Sequence, residues 1–354
     1  HVGSRYKELN TCNSFIYSDL DLLIINYSMV KKILFLSLFS LTMTVFAFSQ
    51  NRDWRMFRHE LVFGAGTAQF LGDLGGGKGV GTHFVRDFDI QASRWSFNFG
   101  YGCKVSERFA LRTSVYYGRV FGSDNYTPEY FRNGRGLAFR SPIIELNEVV
   151  EFSILRETYG NRYSGHGKTK KNTPNLYIYA GVGGFYFNPR GQYLPEKLDA
   201  SGNPLCDANG NVIPDTDDEN YGKWYSLREL GTEGQGYFST RPKYRRVEMS
   251  FPVGFGMNYL ITRNWGIGFD FGVRYTMTDY LDDVSTTYVS PDIFTDDVAR
   301  WFSNRSSYVK DDGTIVREGP GGQRGESKYN DAFMFLMIKA TYKITPNRKS
   351  RPKF

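Results

Sequence analysis

Cysteine, histidine and long apolar segments are all scarce in this chain. Three cysteines among 354 residues cannot build a disulfide scaffold. Three histidines follow Ser49, and none lies in an H-E-x-x-H pattern, nor does a G-x-S-x-G turn occur. Beyond Ser49 no apolar run approaches the roughly 18 residues of a membrane-spanning helix. A disulfide-rich domain and a multi-span helical membrane protein are therefore excluded.

Glycine and aromatic residues are abundant instead. The chain has 38 glycines, 29 phenylalanines and 25 tyrosines, and 17% of its residues are aromatic. With 40% hydrophobic and 23% charged residues it is too apolar for a disordered chain. The net charge of +7 could indicate a nucleic-acid partner, but the basic residues are scattered and no recognised module is present. Glycine together with aromatics indicates β-strands, and no nucleic-acid partner is expected.

The N-terminal segment has the features of a signal peptide. Met29 precedes Lys31 and Lys32, an apolar stretch covers 33–48, and small residues flank a cleavage point before Gln50. No methionine occurs before Met29, which favours upstream translated sequence. We therefore expect an exported protein divided into upstream sequence at 1–28, a signal peptide at 29–49, a β-barrel domain at 50–344 and a basic periplasmic tail at 345–354.

Apolar residues alternate with small or polar residues along most of the remaining chain. The clearest run has seven apolar residues at odd positions: Trp265, Ile267, Phe269, Phe271, Val273, Tyr275 and Met277. A period of two places such a set on one face of a strand. The pattern returns at 95–105, 109–117 and 247–259, and more weakly at 59–69, 143–156, 174–187 and 332–344. It predicts eight strands of about 11 to 15 residues, the length that tilted membrane strands require.

The polar face decides between a water-soluble barrel and a membrane barrel. A soluble barrel would expose long lysine and glutamate side chains, whereas here glycine and serine dominate the polar face. Aromatic residues also collect near the predicted strand ends, as in interfacial girdles. We therefore predict an all-β, eight-stranded antiparallel transmembrane β-barrel in contact with outer-membrane lipid. Its narrow lumen is expected to hold a charge network of Arg112, Glu145, Glu151, Glu248, Asp270, Arg274 and Lys339.

The predicted connections differ in length on the two sides of the barrel. Ser106–Glu107, 157–173 and 261–264 join strands on one side, and the long segments 70–93, 120–142, 188–245 and 278–331 lie on the other. Short periplasmic turns and long extracellular loops are typical of outer-membrane barrels. The expected location is thus the outer membrane of a Gram-negative bacterium, with both termini in the periplasm.

Two segments superficially resemble ligand-binding motifs. Gly72–Gly79 has the glycine content of a phosphate-binding loop, but glycine follows its lysine where serine or threonine is needed. Asp207, Asn209 and Asn211, with acidic residues at 215–218, offer oxygen ligands for calcium, but Val212 stands where an EF-hand needs glycine. Turns explain both segments more simply. We expect no catalytic residue, no cofactor, no metal site and no disulfide.

Several stretches are similar to one family. They are HELVFGAGTAQFLGDLGG (59–76), FALRTSVYYGRVFGSD (109–124), IIELNEVVEFSIL (143–155), YAGVGGFYFNPRGQY (179–193), LGTEGQG (230–236) and FDFGVRYTMTDYLDDVSTTY (269–288). In this order they resemble the PorG-like outer-membrane β-barrel family of bacteria with a type IX secretion system. The most distinctive loop residues are Gly72, Asp73, Gly231, Thr232, Glu233, Gly234, Gln235, Gly236, Asp282 and Asp283.

The resemblance implies a non-enzymatic accessory role in protein secretion. It implies that the barrel contacts periplasmic ring proteins of the secretion system, a lipoprotein and its partner, through 157–173 and the basic tail. One alternative is a surface barrel that binds a ligand or partner through its long outer loops. Another is a lipid-modifying enzyme that uses His59, His83 or His166. Replacing these histidines, or deleting loops, discriminates between these hypotheses.

Overall fold

The computed structural model describes residues 57–74, 91–127, 129–157, 173–199, 204–205, 207, 212–262, 264–309 and 315–344. The predicted upstream segment 1–28, signal peptide 29–49 and tail 345–354 lie outside the described residues, as do His83, His166 and Cys206. None of the described helices is long and apolar enough to cross a membrane.

Eight long strands form a closed barrel. They are β1 (His59–Leu71), β2 (Arg94–Lys104), β3 (Phe109–Ser123), β4 (Ala138–Leu155), β5 (Asn175–Phe187), β8 (Val247–Leu260), β9 (Trp265–Thr276) and β12 (Ala332–Ile344). The order of neighbours is β3-β2-β1-β12-β9-β8-β5-β4, and pairing of β3 with β4 closes the circle. Every pair of neighbours is antiparallel. The predicted eight-stranded antiparallel barrel is confirmed.

The strands are staggered around the barrel. Residue pairs followed around the circle lead from His59 through Cys103, Leu111, Val150, Ala180, Val253, Val273 and Met334 to Gln69. The path therefore returns to β1 ten residues further along, since 69 − 59 = 10. A stagger of this size in eight strands corresponds to a strand tilt of about 40° and a lumen just wide enough for side chains.

The outer face of the barrel is apolar. On β2, Trp95, Phe97, Phe99 and Tyr101 point outward and are exposed, whereas Ser96, Asn98, Gly100 and Gly102 between them are buried. The same alternation runs around all eight strands, and exposure reaches 68% at Ile338 on β12. A continuous apolar belt of this extent suits hydrocarbon and not water. The strands thus cross a membrane.

Two strands extend beyond their predicted limits. β3 continues to Ser123 and β4 begins at Ala138, inside the segment 120–142 that the sequence assigned to a loop. The added residues pair in register, but the outward positions include Arg119 and Arg140. Apolar alternation fails there while backbone pairing goes on, so the prediction of the loop boundaries was wrong at this hairpin.

The long connections fold into a cap on the barrel rim where they emerge, which we call the loop rim; the opposite end is the turn rim. The cap contains α1 (Tyr130–Arg135), β6 (Arg190–Gln192), β7 (Trp224–Ser226), α2 (Leu227–Leu230), α3 (Asp297–Ser303), β10 (Tyr308–Val309) and β11 (Ile315–Val316). β6 and β7 continue the barrel sheet beside β4. The apolar core of the cap includes Leu137, Leu227, Leu281, Val284, Val298 and Phe302. The described parts of these connections are therefore packed structure.

Candidate functional site

The barrel lumen contains a cluster of buried ion pairs. Arg112 on β3 lies 2.5 Å from Glu151 Oε1 on β4 and 3.1 Å from Asp270 Oδ2 on β9. Lys339 on β12 lies 3.7 Å from the same Asp270 oxygen. All four side chains come from inward positions of the alternating pattern and are almost fully buried. The structure thus brings together four of the seven lumen charges that the sequence singled out.

Two tyrosines complete this cluster. Tyr177 Oη donates to Asp270 Oδ2 at 2.8 Å, and Tyr179 Oη donates to Oδ1 at 2.7 Å. Lys339 Nζ in turn donates to Tyr177 Oη. Both tyrosines occupy inward positions of β5, where glycines at 254, 256 and 272 leave room for their rings. The sequence analysis did not identify these tyrosines as lumen residues. The alternation on β5, where they are flanked by the exposed Ile178 and Ala180, could have indicated their inward position.

A second ion pair lies nearer the loop rim. Arg274 Nε lies 3.2 Å from Glu145 Oε2, and Ser250 Oγ donates to Glu145 Oε1 at 2.8 Å. The rings of Tyr116 and Phe335 stack on each other, and the Arg274 guanidinium lies beside them at 4.6 and 4.7 Å from their centroids. Phe185, Phe187 and Phe333 fill the lumen beyond it. This layer separates the ion pairs from the cap.

The lumen is consequently filled by paired charges and aromatic rings. Charges in a low-dielectric interior are tolerated only when they are paired and hydrogen-bonded, a condition that these side chains meet. The last predicted member, Glu248, does not join the network: it is partly exposed at the loop-rim end of β8 and makes no ion pair within the described ranges. Glu248 occupies an inward position of β8, as the alternation predicted, but it lies nearer the loop rim than both groups of ion pairs.

The turn rim has a charge cluster of its own. Glu157, just after β4, accepts hydrogen bonds from both Lys104 and Lys343. Burial alone would raise the pKa of Glu157, but the two ammonium groups lower it to about 2. Arg156 pairs with Glu107 at 2.5 Å on the exposed edge of the same rim. The two lysine contacts of Glu157 link β2, the end of β4 and β12 at the rim opposite the cap.

In the cap, Glu233 is the centre of a second buried network. Its carboxylate accepts hydrogen bonds from the backbone of Ser285 at 2.9 Å and from Thr286 Oγ1 at 2.7 Å. Arg324 Nη1 lies 3.1 Å from Glu233 Oε1 and also donates to the Asp283 carbonyl at 2.9 Å. Three segments far apart in sequence are held together by one carboxylate.

The glycine-rich loop around Glu233 is shaped by backbone that favours glycine. Gly231, Gly234 and Gly236 have φ values of 66°, 82° and 85°, in the left-handed region. The resulting turn lets Gln235 Oε1 accept the Glu233 amide at 2.8 Å and presents Thr232 to Asp283, to whose carboxylate Thr232 Oγ1 donates. The spacing of glycines thus aims the polar side chains at the 279–283 segment.

Asp283 lies at the junction of these elements. It adopts φ of 68°, which aspartate tolerates better than most residues, and is fully buried. Tyr244 Oη donates to its Oδ1 at 2.7 Å. Burial raises the pKa of Asp283 to about 7, although Arg324 and the hydrogen bonds from Thr232 and Tyr244 oppose that shift.

The remaining distinctive loop residues join the same structure. Asp73 Oδ2 accepts the Glu326 amide at 2.6 Å, and the Asp73 carbonyl accepts Arg135 Nη2 at 2.7 Å. Gly72 abuts Asp331, whose Oδ1 would lie 2.1 Å from a Cβ at that position. The three stretches that the sequence flagged, 71–73, 231–236 and 279–283, therefore converge over the mouth of the barrel.

Four aspartates of this region have a raised pKa. Burial is the largest cause for each, and neighbouring carboxylates add to it: Asp73 raises the pKa of Asp282, and Asp282 raises that of Asp331. The pKa of Asp279 is raised to about 7 by burial, with the Asp73 carboxylate adding to the shift. The pKa of Asp73 is raised by burial in the same way. No three histidine, cysteine or acidic side chains in the described part of the chain are arranged to hold a metal ion.

The other candidate residues are accounted for locally. His59 opens β1 on the turn rim, with Nδ1 at 2.5 Å from Tyr101 Oη, and does not face the lumen network. Asp217 pairs with Lys197 at 2.8 Å, whereas Asn209, Asn211 and most of Gly72–Gly79 lie outside the described residues. Cys103 is a free thiol.

Fold and surface together define a class: a closed, eight-stranded, membrane-spanning β-barrel with a filled lumen and a folded cap. No family model matches the chain, and no curated protein matches its sequence. The similarity to the PorG-like family therefore stays a prediction.

Solved structures similar to this chain are bacterial barrels. Neisserial surface protein A matches with 8% identity over 81% of this chain and 97% of that one, at a TM-score of 0.32. Ail, the attachment invasion locus protein of Yersinia pestis, matches with 12% identity over 81% and 99%, at 0.31. A major outer membrane protein from Thermus thermophilus matches with 11% identity over 81% and 99%, at 0.33.

Proposed function

We propose that this chain is a non-enzymatic outer-membrane protein that serves as an accessory, anchoring component of the type IX protein secretion machinery. The observation that carries the proposal is the filled lumen: Arg112, Asp270 and Arg274 lie in ion pairs that leave no path for cargo. A narrow barrel filled in this way acts as a fixed element in the membrane and not as a conduit.

The orientation follows from the lengths of the connections. Long loops of such barrels face outward and short turns face the periplasm, so the cap is extracellular and the turn rim is periplasmic. The rim offers charged groups to a periplasmic partner, including the exposed Arg156–Glu107 pair. The proposed partners are the ring proteins, a lipoprotein and its partner. The segments expected to contact them are 157–173 and 345–354, and apart from residues 157 and 173 they lie outside the described residues.

The convergence of the family-like loop residues supports this proposal. Glu233, Asp283 and Asp73 belong to separate sequence stretches, yet all three are buried in or beside one network that fixes the cap. If this chain shares its architecture with the family that it resembles, the residues that carry the resemblance are expected to stabilise one common structure, and here they stabilise the cap. The role in secretion is inferred from the resemblance.

Gene deletion tests the anchoring role. In a strain without this gene, we expect loss of type IX secretion and of ring assembly at the outer membrane. Complementation with the full chain should restore both, whereas a chain without residues 345–354 should restore barrel insertion but weaken ring recovery in mild detergent. Normal secretion and intact rings in the deletion strain would refute the proposal.

A second candidate is capture of a partner at the cell surface by the cap. Tyr130 and Phe131 on α1 expose 54% and 69% of their surface, and both rings contact Tyr308. Exposed aromatic side chains on a folded support are typical of binding surfaces. Replacing Tyr130 and Phe131 with serine should abolish recovery of an extracellular partner if this role holds, and should leave ring recovery unchanged if anchoring holds.

A further inference from the structure

Three arginines lie on the outer face of the barrel wall at the loop rim. Arg119 on β3 and Arg190 on β6 are exposed, and Arg140 on β4 is half-buried. All three occupy outward positions, because their neighbours along the strands, including Val120 and Phe139, are buried inward. We call Arg119, Arg140 and Arg190 the arginine patch.

Strand pairing brings the three side chains together. Arg140 is the register partner of Arg190 on one side and of Phe121 on the other. Arg119 lies two residues before Phe121 and therefore on the same face. Register partners have Cβ atoms about 5 Å apart, and diagonal neighbours lie about 7–8 Å apart. The charges of Arg119 and Arg190 both repel the Arg140 guanidinium. Because like charges in these positions destabilise a sheet, the fold alone does not explain the patch.

Aromatic rings, and not carboxylates, hold these guanidinium groups. Arg140 Cζ lies 3.3 Å from the ring centroid of Trp224 on β7. Arg119 Cζ lies 5.2 Å from the ring centroid of Trp95 on β2. Among the described residues, no acidic side chain pairs with the arginine patch and no hydrogen bond uses its side-chain donors. Contact with a ring occupies the face of a guanidinium, so the N–H donors in its plane stay available to an anion.

The arginine patch lies at the edge of the apolar belt. On β3 the next outward residue toward the turn rim after Arg119 is Tyr117, which is exposed. On β4 the outward positions beyond Arg140 lead to Ile144, exposed by 47%. Trp95 is the first residue of the belt on β2, and aromatic residues of this kind mark the boundary between membrane and water. Lipid headgroups lie at this boundary, so they are the molecules next to the patch.

We propose that the arginine patch binds the phosphate group of a lipid headgroup in the outer leaflet of the membrane. A guanidinium presents N–H donors in a fork that matches two phosphate oxygens, and Arg140 and Arg190 lie side by side on one face. A bound phosphate offsets the repulsion between them. Toward the turn rim, Trp95, Tyr117 and Ile144 offer an apolar surface to the acyl chains of the same lipid. The site requires the extracellular orientation of the cap but no role in secretion.

Lipid binding by the purified protein in mild detergent tests the site. The probe is diphosphoryl lipid A, and native mass spectrometry over a series of lipid concentrations gives its affinity. Arg140→Gln/Arg190→Gln should weaken binding by at least about tenfold. The matched control, Arg300→Gln/Arg317→Gln, removes the same charge from two arginines that pair with acids in the cap and should bind as the natural protein does. Arg140→Lys/Arg190→Lys keeps the charge but not the fork, and its affinity should be intermediate.

Two further measurements identify the ligand. Dephosphorylated lipid A should bind at least about tenfold more weakly than the phosphorylated form, and inorganic phosphate in millimolar excess should not displace the lipid. Equal binding of the two lipids, or an equal loss in the control variant, would refute the proposal. Displacement by inorganic phosphate would assign the patch to a free anion instead.

A protein partner on the patch gives a different result. In that case an extracellular protein would copurify with the natural protein and be lost in Arg140→Gln/Arg190→Gln, while lipid binding stayed unchanged, and the proposal would be wrong. No described acid loses a partner in this variant, so its barrel should fold. Heat-modified gel mobility confirms the fold of each variant before lipid binding is compared.

Discussion

The buried Asp283 makes the closure of the cap depend on pH. Its pKa is about 7 in the closed cap, against an ordinary value of 3.8 when the segment opens to water. The closed form thus binds a proton more tightly than the open form, and the stability of closure falls as pH rises from about 4 to about 7. Between pH 5 and pH 7 this single group lowers the free energy of opening by about 2 kcal/mol, a factor of about 50 in the open population.

Hydrogen exchange of residues 279–288 measures this effect. After correction for the intrinsic pH dependence of amide exchange, the opening free energy of the natural protein should fall by at least about 2 kcal/mol from pH 5 to pH 7. Asp279 has a similarly raised pKa and adds to the slope. In Asp283→Asn the side chain keeps its shape and an acceptor for Tyr244, and asparagine tolerates the positive φ. The decrease should be smaller in the variant by about 2 kcal/mol.

Two results would refute this reasoning. The first is an opening free energy that stays constant between pH 5 and pH 7 in the natural protein. The second is an unchanged pH slope in Asp283→Asn, which would show that Asp283 does not hold the proton. Lower protection in the variant at all pH values, with the same slope, would indicate only a lost hydrogen bond.

Three further outcomes are expected. Arg112→Met leaves two buried carboxylates without their main partner and should destabilise the barrel by about 3–5 kcal/mol, measured by urea unfolding in detergent; an unchanged midpoint would contradict the network. Gly272→Ala should destabilise by about 1–3 kcal/mol, because its Cβ would lie 2.0 Å from Tyr179 Oη, whereas Gly184→Ala, with no atom nearer than 4.0 Å, should not. In planar bilayers the purified protein should show no steady conductance steps, and regular steps would contradict a filled lumen.

The barrel could be predicted from the sequence because lipid imposes a period of two on every strand. β12 was expected at 332–344 and is found at Ala332–Ile344, and β9 was expected one residue longer than it is. The hairpin of β3 and β4 was cut short because beyond the belt the outward residues include Arg119 and Arg140, and pairing there leaves no apolar signal.

The sites were only partly accessible to the same reasoning. The alternation along the strands predicted six inward charges that form ion pairs: Arg112, Glu145, Glu151, Asp270, Arg274 and Lys339. Alternation cannot show which charges contact each other, so Glu248 was included wrongly in the network. The cap network could not be predicted, because Glu233 and Ser285 are 52 positions apart and no periodicity links them.

The bond from the Glu326 amide to Asp73 joins residues 253 positions apart, one just after the first strand and one shortly before the last. β1 and β12, the first and last barrel strands along the chain, pair with each other. During insertion into the membrane, the carboxylate of Asp73 can accept this hydrogen bond only after the segment around Glu326 has reached the barrel. The cap therefore links the segments next to the first and last strands, and an ordered cap indicates that the barrel is fully assembled.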